Sequence, residues 1–290
     1  MTIQSSTINR TPVPVMEVPV LVSGPRSRFS PGAASHVLSW ARRALRRSDA
    51  FNALLEHTAT RFLRRIHRIT HRMPFALRPI RKGRVLVVAP HPDDEVLAVG
   101  GCLALHRRLG SPISVVFVAV EAPMGRAATR KRETDEVSKL LGFDYQFIDV
   151  PDGSVSRRED FVAEKLAAAI RATRPDFVFS PFPGDHHRDH QAVAASLAVA
   201  IAESRFQGEV WCYEMWSSLW PNRGIDISGV VHEKRTAIEC YKSQLTMPYA
   251  EAVLGLNRYR GLKLGVEYAE GLFVCAPSTF RELCRTLAVI

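Results

Sequence analysis

From Arg84 onward, short apolar runs rich in β-branched residues alternate with longer stretches of helical period. The run VLVVA after Arg84 has no polar position on either face, which suits a strand covered on both sides rather than one half-open to water. Similar runs recur in ISVVFVAV (113–120), YQFIDV (145–150), DFVFS (176–180), VWCYE (210–214) and, late in the chain, GLFVCA (271–276). Helical stretches separate them: one ending at Gly110, then 129–141 before Gly142, 159–174 before Pro175, about 188–204, and 232–244. Strands and helices alternating at this spacing predict βαβ units, and so an α/β fold with a Rossmann-like, doubly wound, mostly parallel sheet.

What precedes Arg84 has a different character. Residues 1–33 are rich in Pro, Ser, Thr and Gly without periodicity and are expected to be a disordered tail. Residues 34–83 turn helical, with Phe51, Leu54, Leu55, Phe62, Ile66 and Ile69 at helical spacing among arginines. The domain expected to carry the chemistry is 84–290. The formal charge of +10 is local: residues 1–84 hold 16 Lys and Arg against 3 Asp and Glu, and the other 206 residues hold 23 against 26. A basic amphipathic helix in the extension fits packing on its own domain or on a second copy first, and a peripheral anionic membrane face second. With no interleaved aromatic platform for bases, no specific nucleic-acid partner is expected. No apolar run reaches the roughly 18 residues of a membrane span, and no secretory leader pattern opens the chain. Five scattered cysteines without a C-x-x-C pair fit a reducing, cytoplasmic setting and not a thiolate metal site.

His91-Pro92-Asp93-Asp94-Glu95 follows directly on the first strand, where ligands sit in an open parallel sheet. Pro92 fixes its own φ and pushes His91 to extended geometry. His91 and Asp94, three apart, can aim at one point, leaving Asp93 for another role. A helix cap would need one Asp. Three carboxylates and a histidine in five residues are costly unless a cation neutralises them.

Asp185-His186-His187-Arg188-Asp189-His190 lies past the end of the fourth strand, with His187 and His190 in i, i+3 relation at a helix start. Together the two segments offer two imidazoles and a carboxylate with an open fourth position, a pattern of catalytic zinc. Ferrous iron would accept the same donors. An oxygen-rich magnesium phosphoesterase is the rival hydrolase, disfavoured by the histidines. A non-catalytic sugar-binding module is the rival from another class.

These segments resemble the LmbE-like, or PIG-L, family of N-acetylglucosamine deacetylases, which carries A-H-P-D-D-E after its first strand and H-x-D-H after a later one. Here they stand as Ala89-Pro90-His91-Pro92-Asp93-Asp94-Glu95 and His187-Arg188-Asp189-His190, Pro90 being the departure. Arg130-Lys131-Arg132-Glu133 with Leu141-Gly142, Pro151-Asp152-Gly153, Tyr241-Lys242-Ser243-Gln244 and Tyr268-Ala269-Glu270 are similar to further family segments. The resemblance implies zinc held by His91, Asp94 and His190, with Asp93 as general base. It implies a protonated His187 at the oxyanion and leaving amine, and Asp189 raising a histidine's pKa. Arg130 and Asp152 would line a sugar pocket, although an i, i+3 pair and a turn explain them equally well. The implied substrate is an N-acetylglucosamine-type amino sugar, with the basic extension favouring a lipid-linked or anionic one. His186 is expected in the loop. Trp211, Tyr213, Trp216 and Trp220 are expected to pack rather than to stack a sugar.

Overall fold

The computed structural model describes residues 74–120, 126–244 and 246–287, with isolated positions between 53 and 61. The tail expected over 1–33 lies outside the described residues, as does most of the extension over 34–83 with its membrane and oligomer readings. In chain order the elements are β1 (Ala76–Leu77), β2 (Val85–Ala89), α1 (Asp94–Arg108), β3 (Ile113–Ala119) and α2 (Arg126–Leu141). There follow β4 (Asp144–Val150), α3 (Glu159–Thr173), β5 (Phe177–Pro181), α4 (Arg188–Glu203) and β6 (Glu209–Tyr213). The chain closes with β7 (Arg223–Asp226), α5 (Val231–Cys240), α6 (Tyr249–Leu264), β8 (Ala269–Cys275) and α7 (Pro277–Leu287). No helix among the described residues is long and apolar enough to cross a membrane.

One eight-stranded sheet has the order β1-β7-β8-β6-β5-β2-β3-β4. Every pairing is parallel except those of β8, which runs antiparallel to both β6 and β7. The strand β1, inside the stretch assigned to the extension, sets Ala76 beside Arg223 and forms one edge of this sheet. Alternation along β2 shows why its run is apolar throughout. Val85, Val87 and Ala89 enter one core with residues of α1, α2 and α5. Leu86 and Val88 enter the other, under α3, α4 and α7.

The chain leaves β2 towards β3 and β4 on one side, then returns to place β5 against the other side of β2. This reversal opens a crevice beyond the carboxyl ends of β2 and β5, the place where doubly wound sheets bind ligands. Both motif-bearing loops emerge there.

Helix α1, which starts in the first motif, is broken at Val99 (φ −130°, ψ 19°). A Cβ on Gly101 would lie 2.6 Å from Ile227 Cγ2, so the glycine lets this helix approach closely. The N–H groups of Gly101 and Cys102 both donate to the Glu270 carboxylate at 2.8 Å. Lys234 Nζ donates to the same carboxylate at 2.6 Å, and both side chains are fully buried. Glu270→Ala therefore strands a buried ammonium and two amides. Urea denaturation is expected to show a loss of about 3–5 kcal/mol; a loss below about 1 kcal/mol would contradict this role.

Candidate active site

Between β2 and α1 the backbone turns sharply. The N–H groups of Val96 and Leu97 donate to Asp93 O at 3.1 and 3.0 Å, so the Asp93 carbonyl starts the helix. Its side chain makes no capping hydrogen bond and lines the cleft instead. A simple capping aspartate is thereby ruled out. Asp93 has φ 122° and ψ −30°, a conformation that costs a side-chain-bearing residue on the order of 1–3 kcal/mol and concentrates at functional sites. Asp94 folds back, and its Oδ2 accepts the His91 N–H at 2.9 Å.

From the second loop, Asp185 Oδ1 accepts the His187 N–H at 2.8 Å and Asp185 Oδ2 accepts the Trp216 N–H at 3.1 Å. These bonds fix the loop before α4, whose first turn carries Asp189 and His190. His190 Nε2 then stands 3.3 Å from Asp94 Oδ2, the same oxygen that lies 3.3 Å from His91 Nδ1. Two loops almost a hundred residues apart thus bring His91, Asp94 and His190 together, with ligand atoms all within 4.8 Å of one another.

A divalent cation fits this group. Among the described residues, neither ring nitrogen of the wholly buried His190 has a partner in hydrogen-bond geometry, although carboxylate oxygens of Asp94 and Asp185 stand 3.3 and 3.5 Å away. Such orphaned polar atoms are rare in native interiors and call for an ion or another explanation. Behind the proposed ligands sit carboxylates in the arrangement that orients metal-binding imidazoles. Asp189 Oδ2 and Asp152 Oδ1 lie 3.3 and 3.2 Å from His91 Nε2, and Asp185 Oδ2 lies 3.5 Å from His190 Nδ1. Asp189 is itself fixed by the N–H groups of Gly153 and Val155. A second group, His91, His187 and Asp189, overlaps the first through His91.

The electrostatics agree. Burial alone would lower the pKa of His91, but Asp152, Asp189 and Asp94 raise it well above the usual value. Burial would lower that of His190 too, yet Asp94 and Asp185 raise it to about 9. Burial would raise the Asp94 carboxyl; the two imidazoles overcome that and hold it far below the carboxylate range. A field that draws two buried imidazoles towards the charged form is one that favours a cation among them. For Asp93, burial and then the Asp94 and Glu95 carboxylates push the carboxyl well up, the direction a general base near neutral pH requires.

A cleft of about 220 Å³ opens over these groups. His91, Asp93, Asp94, Arg130, Asp152 and His187 line it, joined by Leu97, Met215, Trp216, Ser243, Gln244, Thr246 and Tyr249. A larger groove of about 860 Å³ lies at the opposite, amino ends of the strands among Arg81, Arg84, Arg174 and Arg205. It contains none of the acid–base or ligand groups, so volume does not identify the site.

For His187, burial, then the charges of His190 and His91, lower the pKa. Several expectations need correction. Asp152 faces the His91 ring as well as the cleft. Of the four aromatics, Trp211 and Tyr213 are core, whereas Trp216 lines the cleft with its ring edge-on to Tyr249. The helix expected over 232–244 ends at Cys240, because the next residues turn onto α2. There Glu133 accepts the Ser243 N–H at 2.7 Å and Arg130 donates to Gln244 Oε1 at 2.8 Å. His186 is exposed in the loop, as expected. Sequence pattern alone assigns no role to Asp185 or Gln244, and pairing across the fold gives each its place.

The family described as PIG-L, GlcNAc-PI de-N-acetylase, matches residues 86–201, which span both motif loops. A conserved protein of Thermus thermophilus has the same fold at TM-score 0.59 and 31% identity, with 66% of this chain and 94% of that one covered. The chain belongs to the PIG-L (LmbE-like) family. A probable N-acetyl-α-D-glucosaminyl L-malate deacetylase of Bacillus cereus is 30% identical over 135 residues, 41% of this chain. The match spans 60% of the length of that relative. The diacetylchitobiose deacetylase of Thermococcus kodakarensis is 25% identical over 248 residues, covering 71% of this chain and 88% of that one. PIG-L deacetylases are metal-dependent, and the His/Asp group here could hold such an ion.

Metal content measured by plasma mass spectrometry tests the ligand set. His91→Ala and His190→Ala are expected to lose the bound divalent ion, and Asp93→Ala to keep it. Full occupancy in either histidine variant would contradict the assignment.

Proposed function

We propose that this PIG-L member hydrolyses the acetamide of an N-acetylglucosamine-type amino sugar, releasing acetate and a free amine. The observation that carries the reading is the Asp93 carboxylate, left free of capping and directed into the same small cleft as the His91, Asp94 and His190 group. His91, Asp94 and His190 would hold the ion. Two nitrogen donors and one carboxylate suit zinc, with ferrous iron the other metal such donors accept. Bound there, the ion supplies a Lewis acid that lowers the pKa of a water and polarises the acetamide carbonyl.

The chain's own groups do the rest. Asp93 takes a proton from the attacking water, helped by a pKa that its neighbours raise. His187, also on the cleft wall, donates an N–H hydrogen bond to the oxygen that becomes negative, and the proton taken up by Asp93 passes to the departing nitrogen. Even as a neutral imidazole it has one N–H to give. Arg130, Gln244 and Asp152 offer both donors and acceptors to sugar hydroxyls. A cleft of about 220 Å³ lies below the ~300–1,000 Å³ of drug-sized ligand sites, so it fits one sugar ring with its acetamide. A lipid-linked or anionic substrate would draw on the basic extension, most of which lies outside the described residues.

Fold alone does not fix a reaction, and a phosphoesterase remains the rival on a metal site. It would favour oxygen donors with few histidines, whereas two of these three are imidazoles. A panel of N-acetylated amino sugars, scored for free amine with and without a chelator, tests the reading. Chelator-sensitive amine release is expected, and Asp93→Ala is expected to lower it at least about 100-fold. Phosphate release from phosphate esters with no amine from any acetamido sugar would overturn it.

A further inference from the structure

The strained turn at Asp93 is held through Glu95, Tyr241 and Thr134, whose side chains are not among those that line the cleft. An aspartate at a helix start ordinarily bonds its own side chain to the first free amides, and that conformation would turn the carboxylate away from the cleft. Here Asp93 has φ 122° and no such bond. Its N–H instead donates to Glu95 Oε2 at 3.0 Å. Glu95 is completely buried, and the other oxygen of its carboxylate accepts the Tyr241 hydroxyl at 2.6 Å. Tyr241 is equally buried, follows the end of α5, and sets its hydroxyl 3.3 Å from Thr134 Oγ1 on α2. Thr134 is bonded in turn to the carbonyl of Arg130. The two residues after Lys242 are stitched to the same helix, with Ser243 Oγ donating to Glu133 Oε2 at 2.5 Å. The turn that carries Asp93 is therefore tied through one carboxylate to α2 and to the segment after α5.

We propose that Glu95, itself fixed by the Tyr241 hydroxyl, is a positioning residue that holds Asp93 in its left-handed turn so that the Asp93 carboxylate stays aimed into the cleft. The proposal rests on the reading of Asp93 as general base. Without the Glu95 carboxylate the Asp93 amide has lost its acceptor, and nothing described opposes relaxation of the turn to an ordinary cap. A misplacement of about 1 Å in a reacting group can cost about 100-fold in rate. Glutamine at 95 keeps a carbonyl oxygen that accepts the Asp93 N–H, so it should restore part of what alanine loses.

The test has two readouts on the full-length, metal-loaded protein. Crystal structures of Glu95→Ala, Glu95→Gln and Tyr241→Phe report the Asp93 backbone directly, whatever reaction the enzyme catalyses. The expectation is that Asp93 returns to negative φ in Glu95→Ala and keeps positive φ in Glu95→Gln. The kinetic readout is a double-mutant cycle with Asp93→Ala, using the acetamido sugar most active with the unaltered protein. Glu95→Ala should lower kcat about 100-fold with KM and metal content nearly unchanged, and should lower it less than about 2-fold further once Asp93 is alanine. Glu95→Gln and Tyr241→Phe should each fall between the alanine variant and the unaltered protein. Retention of φ near 122° in Glu95→Ala, loss of metal in Glu95→Gln or Tyr241→Phe, or losses that multiply in the Asp93→Ala background would each overturn the proposal. If Glu95→Ala does not fold, Glu95→Gln and Tyr241→Phe decide through the same cycle. If no acetamido sugar is turned over, the function proposed for the cleft fails, and the Asp93 backbone angle still decides the role of Glu95.

Discussion

One carboxylate oxygen organises this molecule's chemistry. Asp94 Oδ2 faces His91 Nδ1 on one side and His190 Nε2 on the other, each at 3.3 Å, and also takes the His91 backbone N–H. The first and second loops meet at that atom. Around it are further acids: Asp93 and Glu95 beside it, Asp152 and Asp189 behind His91, and Asp185 behind His190. Asp94, Glu95, Asp185 and Asp189 are buried, and carboxylates so placed are stabilised by positive charge among them. The imidazoles supply it by taking up protons, and a divalent ion would supply it while leaving them neutral as ligands. The same arithmetic explains why the site occupies the bottom of a crevice. Low dielectric strengthens every interaction made there and makes each unpaired group expensive.

The sheet makes the meeting possible. Because β5 returns to the opposite side of β2 from β3, their carboxyl ends lie side by side while nearly ninety residues separate the strands in sequence. The apolar cores on both faces fix that register. The antiparallel β8 contributes at a distance: its Glu270 satisfies the amides freed by the break in α1, the helix that begins with Asp94. A motif glutamate far from the cleft is thus part of the scaffold behind the ligands.

How much of this could be read from the sequence follows from what depends on local pattern and what depends on pairing. Buried parallel strands are apolar on both faces, so β2, β3, β5 and β6 stood out, and the loops after β2 and β5 could be placed at one edge. The direction of β8 leaves no mark in hydropathy, because either direction buries the same residues. The short β7, with Gly224 at its centre, has too few side chains to show a period. Helix α6 spreads its apolar residues around its circumference and presents no stripe. Within the site, residue identities were legible, whereas partners were not. That Asp189 reaches His91, that Asp185 stands behind His190, and that Glu95 meets Tyr241 from 146 residues away are facts of three-dimensional closure. The conformation of Asp93 was hidden for the same reason, since nothing in H-P-D-D-E announces a positive φ.

The central claim is that the loops after β2 and β5 close on a single divalent ion through Asp94. Anomalous diffraction at the zinc edge, from crystals grown with equimolar zinc, addresses it most directly. The account predicts one strong peak per chain about 2.0–2.2 Å from one nitrogen of His91, one of His190 and one oxygen of Asp94. A peak held instead by His187 and Asp189, or no peak within bonding distance of His190, would contradict it.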